Sequence, residues 1–300
     1  MSAAAEQPLF AEPADDEPRI YSVIASWAER YRPPVFEPLQ LSASGIETYQ
    51  KCPQKYLFSN VWGIRSGPAA ATTFGNVMHN TIRQLIAALR KGLRLSFEDV
   101  VTIFRREWTS AGFEDRHQED LYLNDGIEQL RAFHTSALAS EAHVSGQEKR
   151  FTIKCENGIE VIGRMDQINR VAPGEVEIID YKTGKPKSET HAEKDLQLSV
   201  YALAAREVLD VKPVRLIYYN LQDNSCVFAT REEKQLKDVH DTIQEVAADI
   251  RAREFPARPG FLCKYCEFRF LCPAHESPPV EIEISKPADR GAVQSSVKQH

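Results

Sequence analysis

What this chain lacks narrows the reading first. No apolar run approaches the roughly 18 residues that a membrane-spanning helix needs. Residues 1–18, M-S-A-A-A-E-Q-P-L-F-A-E-P-A-D-D-E-P, have neither the basic start nor the apolar core of an export signal. The expected compartment is therefore the cytoplasm, with no membrane partner. No G-x-x-x-x-G-K-[S/T] occurs in the 300 residues, and Thr183-Gly-Lys-Pro is not a phosphate loop. A motor of that type is thus excluded within this stretch. A surplus of positive charge is missing too, with 37 Lys and Arg against 43 Asp and Glu. That deficit sits mainly at the ends. Residues 1–20 hold five acids and one arginine, and residues 276–300 hold four acids and three bases, which leaves −1 of the total −6 for residues 21–275. A near-neutral core can still hold a local basic groove. Lys182, Lys185 and Lys187 form one basic run, and Arg251, Arg253, Arg258, Lys264 and Arg269 another.

What is present suits a sizeable core: 42% of residues are hydrophobic and 27% charged. Residues 1–40 read as an acidic, Pro- and Ala-rich disordered lead-in, then a short helix from Ile20 to Tyr31 with Trp27, stopped at Pro33-Pro34. The folded domain is expected over 41–275 and a disordered tail over 276–300. Ser42 or Ser44 can cap a first helix, with Glu47 completing a box three residues after Ser44. Helical spacing continues from Thr73 through Leu89, from Phe97 to Ala111, from about Glu119 to Ala139, from Ala192 to Leu209 and from Glu232 to Arg253. Strands are expected at Gln147–Lys154, Ile159–Val171, Glu175–Thr183, Val214–Leu221 and Ser225–Thr230. The order is that of an α/β fold with a helical insertion before its sheet.

The chain is organised around Gly163–Lys187, G-R-M-D-Q-I-N-R-V-A-P-G-E-V-E-I-I-D-Y-K-T-G-K-P-K. Two strands flank a Pro173-Gly174 turn. With a period of two, Asp180 and Lys182 point to one side, and the hairpin can bring Asp166 near them. Two carboxylates crowded at the end of a sheet repel one another and resist burial. A divalent cation resolves that conflict. Mg²⁺ takes a few carboxylate oxygens, keeps waters and is completed by substrate phosphate, so the chemistry points to metal-assisted phosphodiester hydrolysis. On its own, the pattern equally fits an ordinary hairpin with a surface ion pair.

G-R-M-D, then I-I-D-Y-K-T-G, then Gln197-x-x-x-Tyr201 resembles the PD-(D/E)XK nuclease superfamily. Within it, the match is to the RecB-like branch of helicase–nucleases and CRISPR-associated exonucleases, over about Leu41 to Ala274. The resemblance implies a restriction-endonuclease-like core, a central mixed sheet flanked by helices. It implies Asp166, Asp180 and Lys182 as catalytic residues, and His79 of F-G-N-V-M-H as a metal ligand with Asp166, Asp180 and the carbonyl of Tyr181. It further implies Mg²⁺ or Mn²⁺ as cofactor, and Gln197 and Tyr201 as the residues that hold DNA, Tyr201 by stacking or hydrogen bonding. Gly75 in the same helix is read as allowing close backbone approach. Glu148 ranks below His79 as a helper of the site. His117, His134 and His143 read as surface or core residues, Cys155 and Cys226 as structural thiols.

Cys263-x2-Cys266-x5-Cys272 clusters three thiols near the C-terminus. In a protein expected in the cytosol this favours metal over disulfides, and Cys52, also followed by proline, is the natural fourth ligand. The spacing is similar to the iron–sulfur staple of RecB-like nucleases, which implies a 4Fe-4S cluster. Zinc is the alternative, since four cysteines suit either metal, and His275 could serve in a zinc version. The expected function is a metal-dependent DNA nuclease, an exonuclease on single-stranded or unwound DNA in repair or recombination, working with a helicase. The rival readings are a catalytically silent DNA-binding or assembly module and a zinc-stapled interaction domain.

Overall fold

Alternating apolar residues build one mixed sheet of six strands: β1 Leu39–Leu41, β2 His143–Cys155, β3 Ile159–Ala172, β4 Glu175–Lys182, β5 Lys212–Asn220 and β6 Ser225–Ala229. The structure, a computed structural model, describes residues 35–139 and 143–274. The expected helix at Ile20–Tyr31 and both expected disordered ends lie outside those residues. Two compact units divide the chain, one spanning 32–263 and the other containing residues 264–274 of the described part. The sheet and all the helices named below belong to the first.

The long β3 is the spine. Along one edge it pairs antiparallel with β2 from Ile159 to Arg170. Along the other, its first residues pair parallel with β1 and its last residues antiparallel with β4. β1 is a strand that three residues of sequence do not announce. The β3–β4 pairing starts at Gln167 opposite Ile179, so Asp180, Tyr181 and Lys182 run past Asp166 without a ladder partner on β3. β4 keeps pairing with parallel β5 through Asn220. The sheet therefore splits at one end, and the split holds the site.

Helices cover both faces. On one side α1 (Ala43–Lys51), α7 (Leu196–Glu207) and α8 (Glu233–Arg251) pack on Ile153, Val161, Met165, Ile178 and Leu216. On the other, α3 (Ala70–Arg90), α4 (Phe97–Glu107) and α5 (Arg116–Ala139) pack on Ile179, Tyr181 and Ile217. Neighbours Ile178 and Ile179 serve opposite cores, as the two-residue period requires. Each buried side chain of this size contributes about 1.5–3 kcal/mol. Two shorter helices, α2 (Pro53–Tyr56) and α6 (Glu189–Lys194), complete the set. No helix of the described residues is long and apolar enough to cross a membrane.

Several expectations need correction. Ser42, not Ser44, caps α1 by accepting from Gly45 N at 3.1 Å, and Glu47 pairs with Lys51 instead of closing a box. The helix expected over Ala192–Leu209 is two, α6 and α7. Asp195 breaks it because its carboxylate accepts from Leu198 N at 2.9 Å and caps α7. The apolar stripe runs through this break, so periodicity alone joins the pieces. Gly163 is required where Gly75 is not. A Cβ on Gly163 would overlap the Phe151 ring, whereas one on Gly75 would meet Thr183 Oγ1 at an ordinary 3.5 Å.

Candidate active site

Three elements meet at the split. β3 carries Asp166, the end of β4 carries Asp180-Tyr181-Lys182, and the middle of α3 carries His79. Since β4 has left the β3 ladder, the Tyr181 N–H donates to Asp166 Oδ2 at 3.0 Å in place of a strand carbonyl. His79 sits across both. Its Nδ1 is 3.3 Å from Asp166 Oδ2 and its Nε2 is 3.0 Å from the Tyr181 carbonyl. Asp166 and Asp180 are buried, at 9% and 2% exposure.

A fourth side chain joins from β2. Gln147 pairs with Gln167 and Lys149 with Met165, which sets Glu148 directly opposite Asp166. One ligand atom each from His79, Glu148 and Asp166 lies within 4.8 Å of the others. Glu148 has φ +49°, a left-handed conformation uncommon outside glycine, and Arg164 Nε holds its carboxylate at 2.7 Å. Sequence reading ranks Glu148 low because the β2–β3 register cannot be counted from the sequence alone.

The second half of the site is a relay of hydrogen bonds. Lys182 Nζ is 2.7 Å from Asp180 Oδ2 and donates to Gln197 Oε1 at 3.0 Å. Gln197 Nε2 donates to the Tyr201 hydroxyl at 2.8 Å. That hydroxyl lies 2.8 Å from the Arg164 carbonyl and 3.1 Å from Asp180 Oδ1. Gln197 and Tyr201 are i,i+4 partners on α7, as the spacing anticipates. Tyr201 is 3% exposed, so its ring offers no stacking face. Its hydroxyl fixes Gln197 and the β3 backbone.

The charges are unbalanced. Burial and the nearby Asp166 push Asp180 up to about 6, although Lys182 pulls the other way. Burial raises Glu148, with Arg164 opposing. Burial alone would lower His79, but Asp166, Asp180 and Glu148 outweigh it and raise it. Asp180 Oδ2 receives no well-aligned hydrogen bond despite its short approach to Lys182. An orphaned buried carboxylate oxygen, the Tyr181 carbonyl and an imidazole beside two more carboxylates form a mostly hard, oxygen-rich donor set. That set fits Mg²⁺ or Mn²⁺. Asp180 faces Lys182 and Tyr201 and stands outside the tight group of His79, Glu148 and Asp166.

The cysteines divide between the units. Cys52 ends α1, Cys263 lies in the first unit, and Cys266 and Cys272 lie in the second. None of the six cysteines forms a disulfide, and the Gly260 N–H donates to Cys263 Sγ at 3.3 Å.

Known proteins are similar to this chain over most or part of its length. The gene 69 protein of Mycobacterium phage L5 is 24% identical over 288 residues, covering 77% of this chain and 95% of that protein. An ATP-dependent helicase/deoxyribonuclease subunit of Streptococcus agalactiae serotype Ia is 24% identical over 162 residues, 51% of this chain, and the match covers only 15% of that relative's length. A solved structure described as the crystal structure of SSO0001 aligns at 16% identity with a TM-score of 0.39, covering 85% of this chain and 98% of that one. The family model described as the PD-(D/E)XK nuclease superfamily matches residues 40–273, a span that takes in the split sheet, His79 and every residue of the relay, and the chain belongs to that superfamily.

Proposed function

We propose that the protein is a metal-dependent deoxyribonuclease that hydrolyses phosphodiester bonds of single-stranded or unwound DNA, as an exonuclease in repair or recombination. The observation that carries this reading is the meeting of His79, Asp166 and the end of β4 at a split in the sheet, with Asp180 Oδ2 left without an aligned donor. Asp166, Asp180, His79 and the Tyr181 carbonyl are the proposed ligands, with Glu148 beside them. A divalent cation bound there supplies Lewis acidity, lowering the pKa of a water and countering phosphate charge.

The chain's own residues do the rest. Lys182, a half-buried ammonium fixed by Asp180 and Gln197, orients the attacking water and meets the charge that develops on the phosphate. Gln197 presents its amide to the strand, and Tyr201 holds that amide in place. Contacts of this kind read backbone more than sequence, so weak sequence preference and salt-sensitive affinity are expected. A helicase partner is proposed because the streptococcal relative is named a helicase/deoxyribonuclease subunit, and these 300 residues hold no phosphate loop of their own.

Cys52, Cys263, Cys266 and Cys272 are proposed to hold a 4Fe-4S cluster. Their spacing, the absence of disulfides among them and the N–H directed at Cys263 Sγ support it, since such hydrogen bonds tune cluster sulfurs. Zinc suits the same four thiols. Iron, sulfide and zinc analysis of anaerobically purified protein decides between them.

The function is tested with end-labelled single- and double-stranded DNA, with Mg²⁺, Mn²⁺ or chelator. Cation-dependent cleavage is expected, and the product ladder gives polarity. Folded, metal-loaded protein that cuts neither substrate, alone or with a helicase, would favour a silent DNA-binding module instead.

A further inference from the structure

Behind the reaction centre, on the opposite face of β4, lies a cavity of about 790 Å³ between the sheet and the helical layer of α3 and α5. Strand alternation puts it there. Asp180 and Lys182 face α7, while Ile179 and Tyr181 line the cavity. Its size lies in the usual range for small-molecule sites.

The floor is unexpectedly polar. Gln167 and Asn169, at i and i+2 on β3, are 4% and 3% exposed and sit among apolar side chains. They form one directed chain. The Tyr181 hydroxyl donates to Gln167 Oε1, and Gln167 Nε2 donates to Asn169 Oδ1, each at 2.8 Å. The chain stops at the Asn169 amide NH₂, which finds no acceptor among the described residues. The amide borders the cavity, where an acceptor on a ligand can meet it. At the rim stand Arg90, the last residue of α3, and Arg94 just beyond it. Both are exposed, and neither has an ion-pair partner among the described residues. One wall is aromatic, with Phe133 edge-on to Tyr181 at 5.5 Å between ring centroids.

Two cations at the rim and an amide donor on the floor match two parts of a nucleotide, its phosphate and an acceptor on its base edge. We propose that this cavity binds one deoxynucleotide, with its phosphate on Arg90 and Arg94 and an acceptor of its base on Asn169. The inference rests on the nuclease reading for its choice of nucleotide over other anions. Tyr181 joins the two sites. Its carbonyl is 3.0 Å from His79 Nε2, while its side chain floors the cavity. A strand passing the split end of the sheet meets the ligand cluster on one side of β4 and this cavity on the other.

The test is calorimetric titration of the full chain, in chelator, with deoxynucleoside 5′-monophosphates, the matching nucleosides and inorganic phosphate. The monophosphate is expected to bind at least tenfold more tightly than either fragment. Arg94→Ala, an exposed change that does not threaten folding, and Asn169→Ala should each weaken it about tenfold, with melting temperature recorded for both. Absent binding, equal binding of phosphate alone, or unchanged affinity in both variants overturns the proposal. Cleavage at saturating DNA and Mn²⁺ binding are measured on the same proteins. Mn²⁺ binding is expected to survive in Arg94→Ala, so lost nucleotide binding with cation binding intact supports the cavity site. Nucleotide binding that persists in a wild-type protein unable to cut DNA counts against the nuclease reading and leaves the cavity's occupancy established.

Discussion

The two halves of the reaction centre are built on opposite principles. In the half made by Lys182, Gln197 and Tyr201, the side-chain polar atoms are tied into a relay that touches Asp180 and ends on the β3 backbone. In the half made by His79, Glu148 and Asp166, three ligand atoms crowd within 4.8 Å, with the Arg164 guanidinium 2.7 Å from Glu148. Saturation suits a group that must hold one position, such as the lysine. Crowding suits a group of atoms awaiting a cation, because like charges stay together only when something binds them. On the proposed reading the difference separates two roles, chemistry and cation binding, with Asp180 as a ligand that also holds Lys182, and substitutions should pull the two roles apart.

The largest effect is expected from the crowded half. Asp166→Asn removes the carboxylate shared by His79 and the Tyr181 N–H. Cation binding should vanish by calorimetry, and cleavage should fall on the order of 10³-fold or more. His79→Ala should weaken Mn²⁺ binding by about 10–100-fold, and excess Mn²⁺ should restore most of the rate. Glu148→Gln should cost about tenfold in cation affinity. A cost equal to that of Asp166→Asn would instead make Glu148 a principal ligand.

The pH response sharpens the same contrast. Asp180 is raised to about 6 in the folded protein, and Glu148 and His79 are raised as well. In each case the folded state holds its proton more tightly than the unfolded chain. The stability Asp180 gives the cation-free protein is therefore full below about pH 4 and lost as pH rises through about 6. His79, raised from 6.5, extends that loss to higher pH. Melting midpoints of cation-free protein should fall across this window, and Asp180→Asn should flatten the fall. Added Mg²⁺ should stabilise more as pH rises, since it binds the ionised forms. The smallest effect belongs to the relay's far end. Tyr201→Phe should lower stability by about 1 kcal/mol and slow cleavage only several-fold, with cation affinity unchanged.

The sequence shows these regions unequally. Asp166, Asp180 and Lys182 are grouped by a hairpin and a two-residue period without long-range information, but only the resemblance sets that group apart from an ordinary surface ion pair. Gln197 and Tyr201 are legible as one helix face. His79 lies 102 residues from Tyr181, and only the F-G-N-V-M-H resemblance brings it in. Glu148 needs the register of β2 on β3, which no local pattern supplies. The break at Asp195 is hidden because a cap and a helix-interior acid look alike within a continuous apolar stripe. The cavity behind β4 is assembled from α3, α5, β3 and β4, and its unmet amide appears only after every hydrogen bond on the sheet has been placed.

The central claim is that Lys182 does chemistry while the crowded half, together with Asp180, binds the cation. The most direct test compares wild type and Lys182→Ala for Mn²⁺ affinity by calorimetry and for cleavage of end-labelled single-stranded DNA. The account predicts cation affinity within a few-fold of wild type and cleavage reduced by about 10²–10³-fold. A variant that cuts DNA at the wild-type rate, or one that loses cation binding along with cleavage, would contradict it.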